Sequence, residues 1–121
     1  MRLTTAACAL GLAVLSAAAW ADEFADGAAK PTADEIRQYV EGKAFNIKLA
    51  SGDSWKLEYK GDGDLNWKTS KGYSGTSRWT HADGTLCDQP RGKVKSCNDV
   101  RMVGGVLHLK RESGEIIQYT P

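Results

Sequence analysis

The chain has 121 residues with 16 basic and 15 acidic side chains and a formal net charge of +1. That is one domain's worth of core, without the charge excess that nucleic-acid or anionic-membrane binding requires. Three cysteines, four tryptophans and thirteen glycines among so few residues direct attention to a covalent staple, an aromatic interior and many tight turns.

The opening MRLTTAACALGLAVLSAAAWA has one positive charge at Arg2, an apolar run from Leu3 through Ala19, and the small-x-small triplet Ala19-Trp20-Ala21 before Asp22. This predicts a cleavable secretory signal over residues 1–21, which is too short and Ala-rich to be a membrane anchor. Cys8 lies ahead of most of the apolar run and is expected to leave with it. Cleavage also removes Arg2, so basic and acidic residues balance in the mature chain, and no membrane span is expected after it. Cys87 and Cys97 are then the only thiols left. In the oxidising periplasm or outside the cell they are expected to pair with each other.

Residues 22–31 (DEFADGAAKP) lack apolar periodicity and end in proline, so they are read as a flexible leader to a single domain over 32–121. Thr32-Ala33-Asp34-Glu35 fits a capping box, and Ile36, Tyr39 and Val40 recur at helical spacing until Gly42, predicting one short helix over about 33–41. The period then changes. Phe45, Ile47 and Leu49 alternate with polar residues, as do Trp55, Leu57 and Tyr59, which is the pattern of half-buried strands.

Turn chemistry at Ser51-Gly52-Asp53, Gly61-Asp62-Gly63, Lys71-Gly72, Asp83-Gly84, Gly104-Gly105 and Ser113-Gly114 separates candidate strands at 43–50, 54–60, 64–69, 73–81, 84–87, 94–103, 105–111 and 115–120. The expected fold is all-β: an antiparallel meander barrel of about eight strands, closed enough to hide its edges, with one N-terminal helix and one disulfide.

No catalytic constellation is present. His81 precedes a turn and His108 lies between Leu107 and Leu109 on a polar face, so both read as structural or solvated side chains without ligand-spaced companions. Asp62, Asp64 and Asn66 imitate the start of a calcium loop, but Trp67 and Tyr73 stand where Gly and Glu are required. There is no G-x-S-x-G elbow. Neither an enzyme nor a metal or organic cofactor is expected.

Trp55, Tyr59, Trp67, Tyr73 and Trp79 occupy parities that let them line one interior. Trp55, Trp67 and Trp79 recur every twelve residues, compatible with rings at comparable heights. A barrel of this size is just wide enough to be filled by side chains or to hold one small ligand, and the packed form is the expectation. A hollow interior would suit a small apolar or amphipathic molecule, with Arg78 as an anion contact and His81 near the rim. The alternative is a protein-interaction module or secreted inhibitor. It would present Arg91, Lys93 and Lys95, in the disulfide-pinned loop 88–96, to an envelope or host protein. Either form is expected to be a monomer.

Trp55-x-Leu57-x-Tyr59, Gly75-x-x-Arg78-Trp79, Asp83-Gly84-Thr85-Leu86-Cys87 and Cys97-x-x-Val100 together resemble a group of small exported bacterial proteins of uncharacterised function with miniature lipocalin-like (calycin-type) barrels. The resemblance covers most of residues 32–120 and implies a fold. It brings no catalytic residues.

Overall fold

The structure, a computed structural model, describes residues 23–121, so the expected signal segment lies outside the described residues. Helix α1 (Ala33–Val40) comes first, followed by eight strands: β1 (Lys43–Lys48), β2 (Ser54–Tyr59), β3 (Asp64–Thr69), β4 (Ser74–Ala82), β5 (Thr85–Pro90), β6 (Ser96–Val103), β7 (Val106–Lys110) and β8 (Ile116–Gln118). Each strand pairs antiparallel with its neighbour in sequence, giving one eight-stranded sheet in the order β1 to β8. The sheet nearly closes on itself. The Asn46 N–H donates to Thr120 O at 2.7 Å and the Thr120 N–H returns to Asn46 O at 3.3 Å.

The capping box forms as its sequence predicts: the Glu35 N–H donates to Thr32 Oγ1 (3.2 Å) and the Thr32 N–H to Glu35 Oε1 (2.9 Å). These bonds satisfy amides that the first helical turn would otherwise leave unpaired. Thr32→Ala is therefore expected to destabilise the fold by about 1 kcal/mol in equilibrium urea unfolding. Gly42, at φ 76°, then makes the left-handed turn that carries the chain from α1 into β1. The helix plugs one end of the barrel, with Ile36 and Val40 both fully buried. A second tie comes from Asp83 in the β4–β5 turn, whose Oδ1 accepts the Ala33 N–H at 2.8 Å.

The segment read as a leader is laid against the barrel. Ala29 and Met102 exchange backbone hydrogen bonds at 2.9 and 2.8 Å, and the Gly84 N–H donates to Pro31 O at 2.8 Å. Phe24 lies under the cations of Arg101 and Lys110, 5.3 and 5.8 Å from its ring centre. The physical reason is a shortage of partners on β6. Its pairing with β5 begins at Asp99 opposite Thr85, so Met102 lies beyond the reach of β5 and Ala29 fills the gap. No hydrophobic alternation announces a pairing this short.

The core runs from the helix into the lower barrel: Phe45 stacks on Tyr39 (5.4 Å between ring centres) and also meets Tyr59 and Tyr119. Cys87 and Cys97 form a disulfide between directly opposed residues of β5 and β6, as expected.

Candidate functional site

Inward parity sets the site. β4 offers two small residues to the interior, Gly75 and then Ser77, before Trp79. The Trp67 ring lies across Gly75, where a Cβ would come within 2.5 Å of Cζ2. Above Ser77 no large side chain fills the space. The interior is therefore hollow where the sequence favoured a packed one: a cavity of about 630 Å³ occupies the barrel end opposite α1, within the range of small-molecule pockets. Ser77 is a small inward residue on this lining, and hydrophobic alternation marks which residues point inward but not whether their volumes fill the lumen.

Trp55, Leu57, Trp67, Leu109 and Ile117 form its apolar walls. Its floor is the buried Tyr59–Tyr119 pair, hydroxyl to hydroxyl at 2.8 Å. Burial pushes both phenols well above their ordinary range, so they remain neutral hydrogen-bonding groups. The mouth lies among the turns at the far end, where Thr69, Pro90 and Arg111 to Ser113 reach the cavity.

One wall is polar. Asp88 on β5 and Ser96 and Asn98 on β6 face the cavity, with Glu112 from the β7–β8 turn above them. Burial, with the Glu112 carboxylate as a smaller contributor, raises the Asp88 pKa. Asn98 Oδ1 is buried with no hydrogen-bond partner. Arg111, by contrast, has a counter-charge. Its guanidinium donates to Glu115 Oε1 at 2.6 Å and lies 5.0 Å from the centre of the Trp55 ring. Glu115 also accepts the Ala50 N–H, the main reason its pKa is lowered, with Arg111 adding to the effect.

The Asp88 shift has a thermodynamic sign. A carboxyl whose folded pKa is raised prefers to be neutral in the fold, so it costs stability as pH rises from the unfolded pKa through the folded one. The groups facing it are Glu112, Tyr59 and Tyr119. Asp88→Asn in ligand-free protein is thus expected to raise the melting temperature at pH 7. The gain is at most about 1 kcal/mol, or roughly 4–8 °C, given how much solvent still reaches the group. It should vanish when the scan is repeated well below the ordinary aspartate range, where the carboxyl is protonated in both the folded and the unfolded state.

The structure brings together only part of the expected lining. Trp55, Tyr59 and Trp67 line the cavity. Trp79 points inward but is buried beneath it, donating Nε1–H to Lys60 O at 2.9 Å and meeting Tyr59 edge-on. Register explains the separation: Trp55 opposes Thr69, Trp67 opposes Leu57 and Gly75, and Trp79 lies opposite Asp88. A spacing of twelve therefore steps the rings along the barrel and does not level them.

Tyr73 is 67% exposed in the β3–β4 turn and lines nothing. Arg78 is on the outer face, its Nη1 donating to Asp64 Oδ1 at 2.8 Å, because the strand parity that points Trp79 inward points its neighbour out. Arg91, Lys93 and Lys95 are exposed in the β5–β6 turn, as the alternative reading requires. His108 is partly buried with Nδ1 3.0 Å from Val106 O. His81 is turned inward against Trp79, at 5.6 Å, with Nδ1 buried and unpartnered.

Asp88, Asn98, Ser96 and Glu112 were not singled out by sequence. The signal was present for two of them: Leu86 and Asp88 share a parity, as do Asn98 and Val100, so a buried neighbour two positions away points each inward. Ending the fifth strand at Cys87 hid the first. Among the described residues no group of His, Cys, Asp and Glu is arranged to hold a metal, and no helix is long and apolar enough to cross a membrane. No protein-family model matches the chain, and no curated protein or solved structure matches it significantly.

Proposed function

We propose that this chain is an exported, monomeric binding protein of the periplasm or extracellular space that holds one small, partly apolar molecule inside its barrel without transforming it. The observation that carries the reading is the cavity of about 630 Å³ walled by Trp55, Trp67, Leu109 and Ile117. A hollow of that kind forgoes core packing that a purely structural domain would use. The disulfide and the signal-like N-terminus support an oxidising location. The resemblance of its motifs to those of small exported lipocalin-like proteins supports the same reading.

The test is native mass spectrometry of protein purified from its own source, with tryptophan fluorescence recorded before and after unfolding and refolding. A retained small molecule, lost on refolding together with a fluorescence change, is the expected result. An unliganded mass with unchanged fluorescence overturns the reading. Trp67→Ala should weaken retention by roughly 10-fold or more, the worth of one aromatic wall, as measured by titrating the recovered molecule back into the variant.

A second reading rests on the β5–β6 turn. There Val94 is 86% exposed between Lys93 and Lys95, on a hairpin pinned by the disulfide. An apolar tip amid cations suits an acidic protein surface. Replacing Arg91, Lys93 and Lys95 by alanine would abolish such an interaction and leave cavity binding intact.

A further inference from the structure

Building on the binding reading above, we propose that the cavity takes an organic cation, a molecule with an apolar body and a protonated nitrogen held against Asp88 and Glu112. The polar wall carries negative charge: Asp88 is partly buried, and Glu112, exposed at the mouth, accepts only a long 3.5 Å contact from Ser96 Oγ. Two carboxylates, from Asp88 and Glu112, reach the cavity, and neither takes part in any ion pair among the described residues. Among the described residues Arg111 is the one cation on the lining; it pairs with Glu115 and lies over the Trp55 ring. Asn98 adds a buried oxygen with nothing to accept from.

A buried acceptor without a donor is costly, and a partly buried carboxylate without a counter-charge is costlier. Both costs are relieved by the same visitor, one that brings N–H donors and positive charge. An anionic headgroup would instead face two like charges.

The rest of the cavity fits the body of such a molecule. Trp55 and Trp67 present ring surface to an apolar skeleton. At about 630 Å³ the volume admits a skeleton of one or two fused rings, or a medium alkyl chain, together with its ammonium group. The polar wall is on β5 and β6, joined by the disulfide, so the acceptors are held in place before a ligand arrives.

The experiment is isothermal titration of refolded, ligand-free protein with matched probes that share a body and differ in headgroup: 2-(1-naphthyl)ethylamine, the corresponding alcohol and the corresponding carboxylate, and the same three headgroups on an octyl chain. The expected result is amine binding at least about tenfold tighter than the alcohol, with the carboxylate weakest, as one charge-assisted contact in a desolvated site provides. Asp88→Asn and Glu112→Gln should each reduce that preference, weakening the amine by a larger factor than the alcohol.

Equal binding of all three headgroups, or tightest binding of the carboxylate, overturns the cation and leaves the cavity reading standing. So does recovery of a neutral or acidic molecule from the native protein. No binding of any probe, together with an unliganded native mass, overturns both.

Discussion

Phe45→Ala is expected to cost about 3–5 kcal/mol, enough to remove most of the stability of a domain this small. The Phe45 ring is 2% exposed and sits where three parts of the molecule converge. Tyr39 of α1 stacks flat on it with 8° between planes, Tyr59 of β2 meets it edge-on at 6.2 Å, and Tyr119, just past β8, leans against it at 5.3 Å. Removing the ring deletes its transfer free energy and leaves a void that the surrounding strands cannot collapse into. It also removes the surface on which α1 docks, so the plug loosens as the core thins. Phe45→Leu, which keeps most of the volume, should cost roughly 1.5 kcal/mol or less. Urea unfolding followed by far-ultraviolet circular dichroism checks both, and equal midpoints for Ala and Leu would contradict the packing described.

Loss of the disulfide should rank next. A double Cys87→Ala/Cys97→Ala variant is expected to lose roughly 2–3 kcal/mol, from releasing the loop that the bond closes across a sequence separation of 10. At this chain length that corresponds to a melting point lower by roughly 10–20 °C. Treatment of the native protein with a reductant should reproduce the shift. The effect on the site is more selective. The bond spans β5 and β6, which carry Asp88, Ser96 and Asn98, whereas Trp55, Leu57 and Trp67 belong to β2 and β3 on another part of the sheet. Reduction is thus expected to weaken headgroup discrimination before it weakens retention of the apolar body. Both are read from the same titrations on oxidised and reduced protein.

The architecture was legible because its signals are local. The capping box, the change from helical to alternating period after Gly42, and a glycine-bearing turn between successive strands specify the helix and the order of the strands without reference to anything distant. The Cys87–Cys97 pairing was legible by elimination. The site was legible only in part. Parity correctly turned Trp55, Tyr59 and Trp67 inward, but depth along the barrel depends on the register between strands, and Trp79 and Tyr73 fall below and outside the cavity for that reason. Arg78 was misplaced by proximity to Trp79, although adjacent strand residues face opposite ways. Hollowness itself depends on volumes summed around the ring, which no single strand reveals. The acidic wall followed from the same parity rule that found the aromatic one. It was obscured because an aspartate after a cysteine reads as the start of a loop.

The seam between β1 and the segment after β8 has a consequence for time as well as shape. Every other ladder in the barrel joins strands adjacent in sequence, so each hairpin can zip as soon as its own two arms exist. Asn46 and Thr120 close the ring from opposite ends of the sheet, through a single bridge after the three-residue strand β8. Without its last residues the meander is an open trough, with the aromatic wall of β2 and β3 and the acidic wall of β5 and β6. Only when Tyr119 and Thr120 arrive does the trough gain its floor hydroxyl and its last side. The chamber is complete only with those last residues in place, and a molecule present before they dock can be enclosed without passing through the mouth.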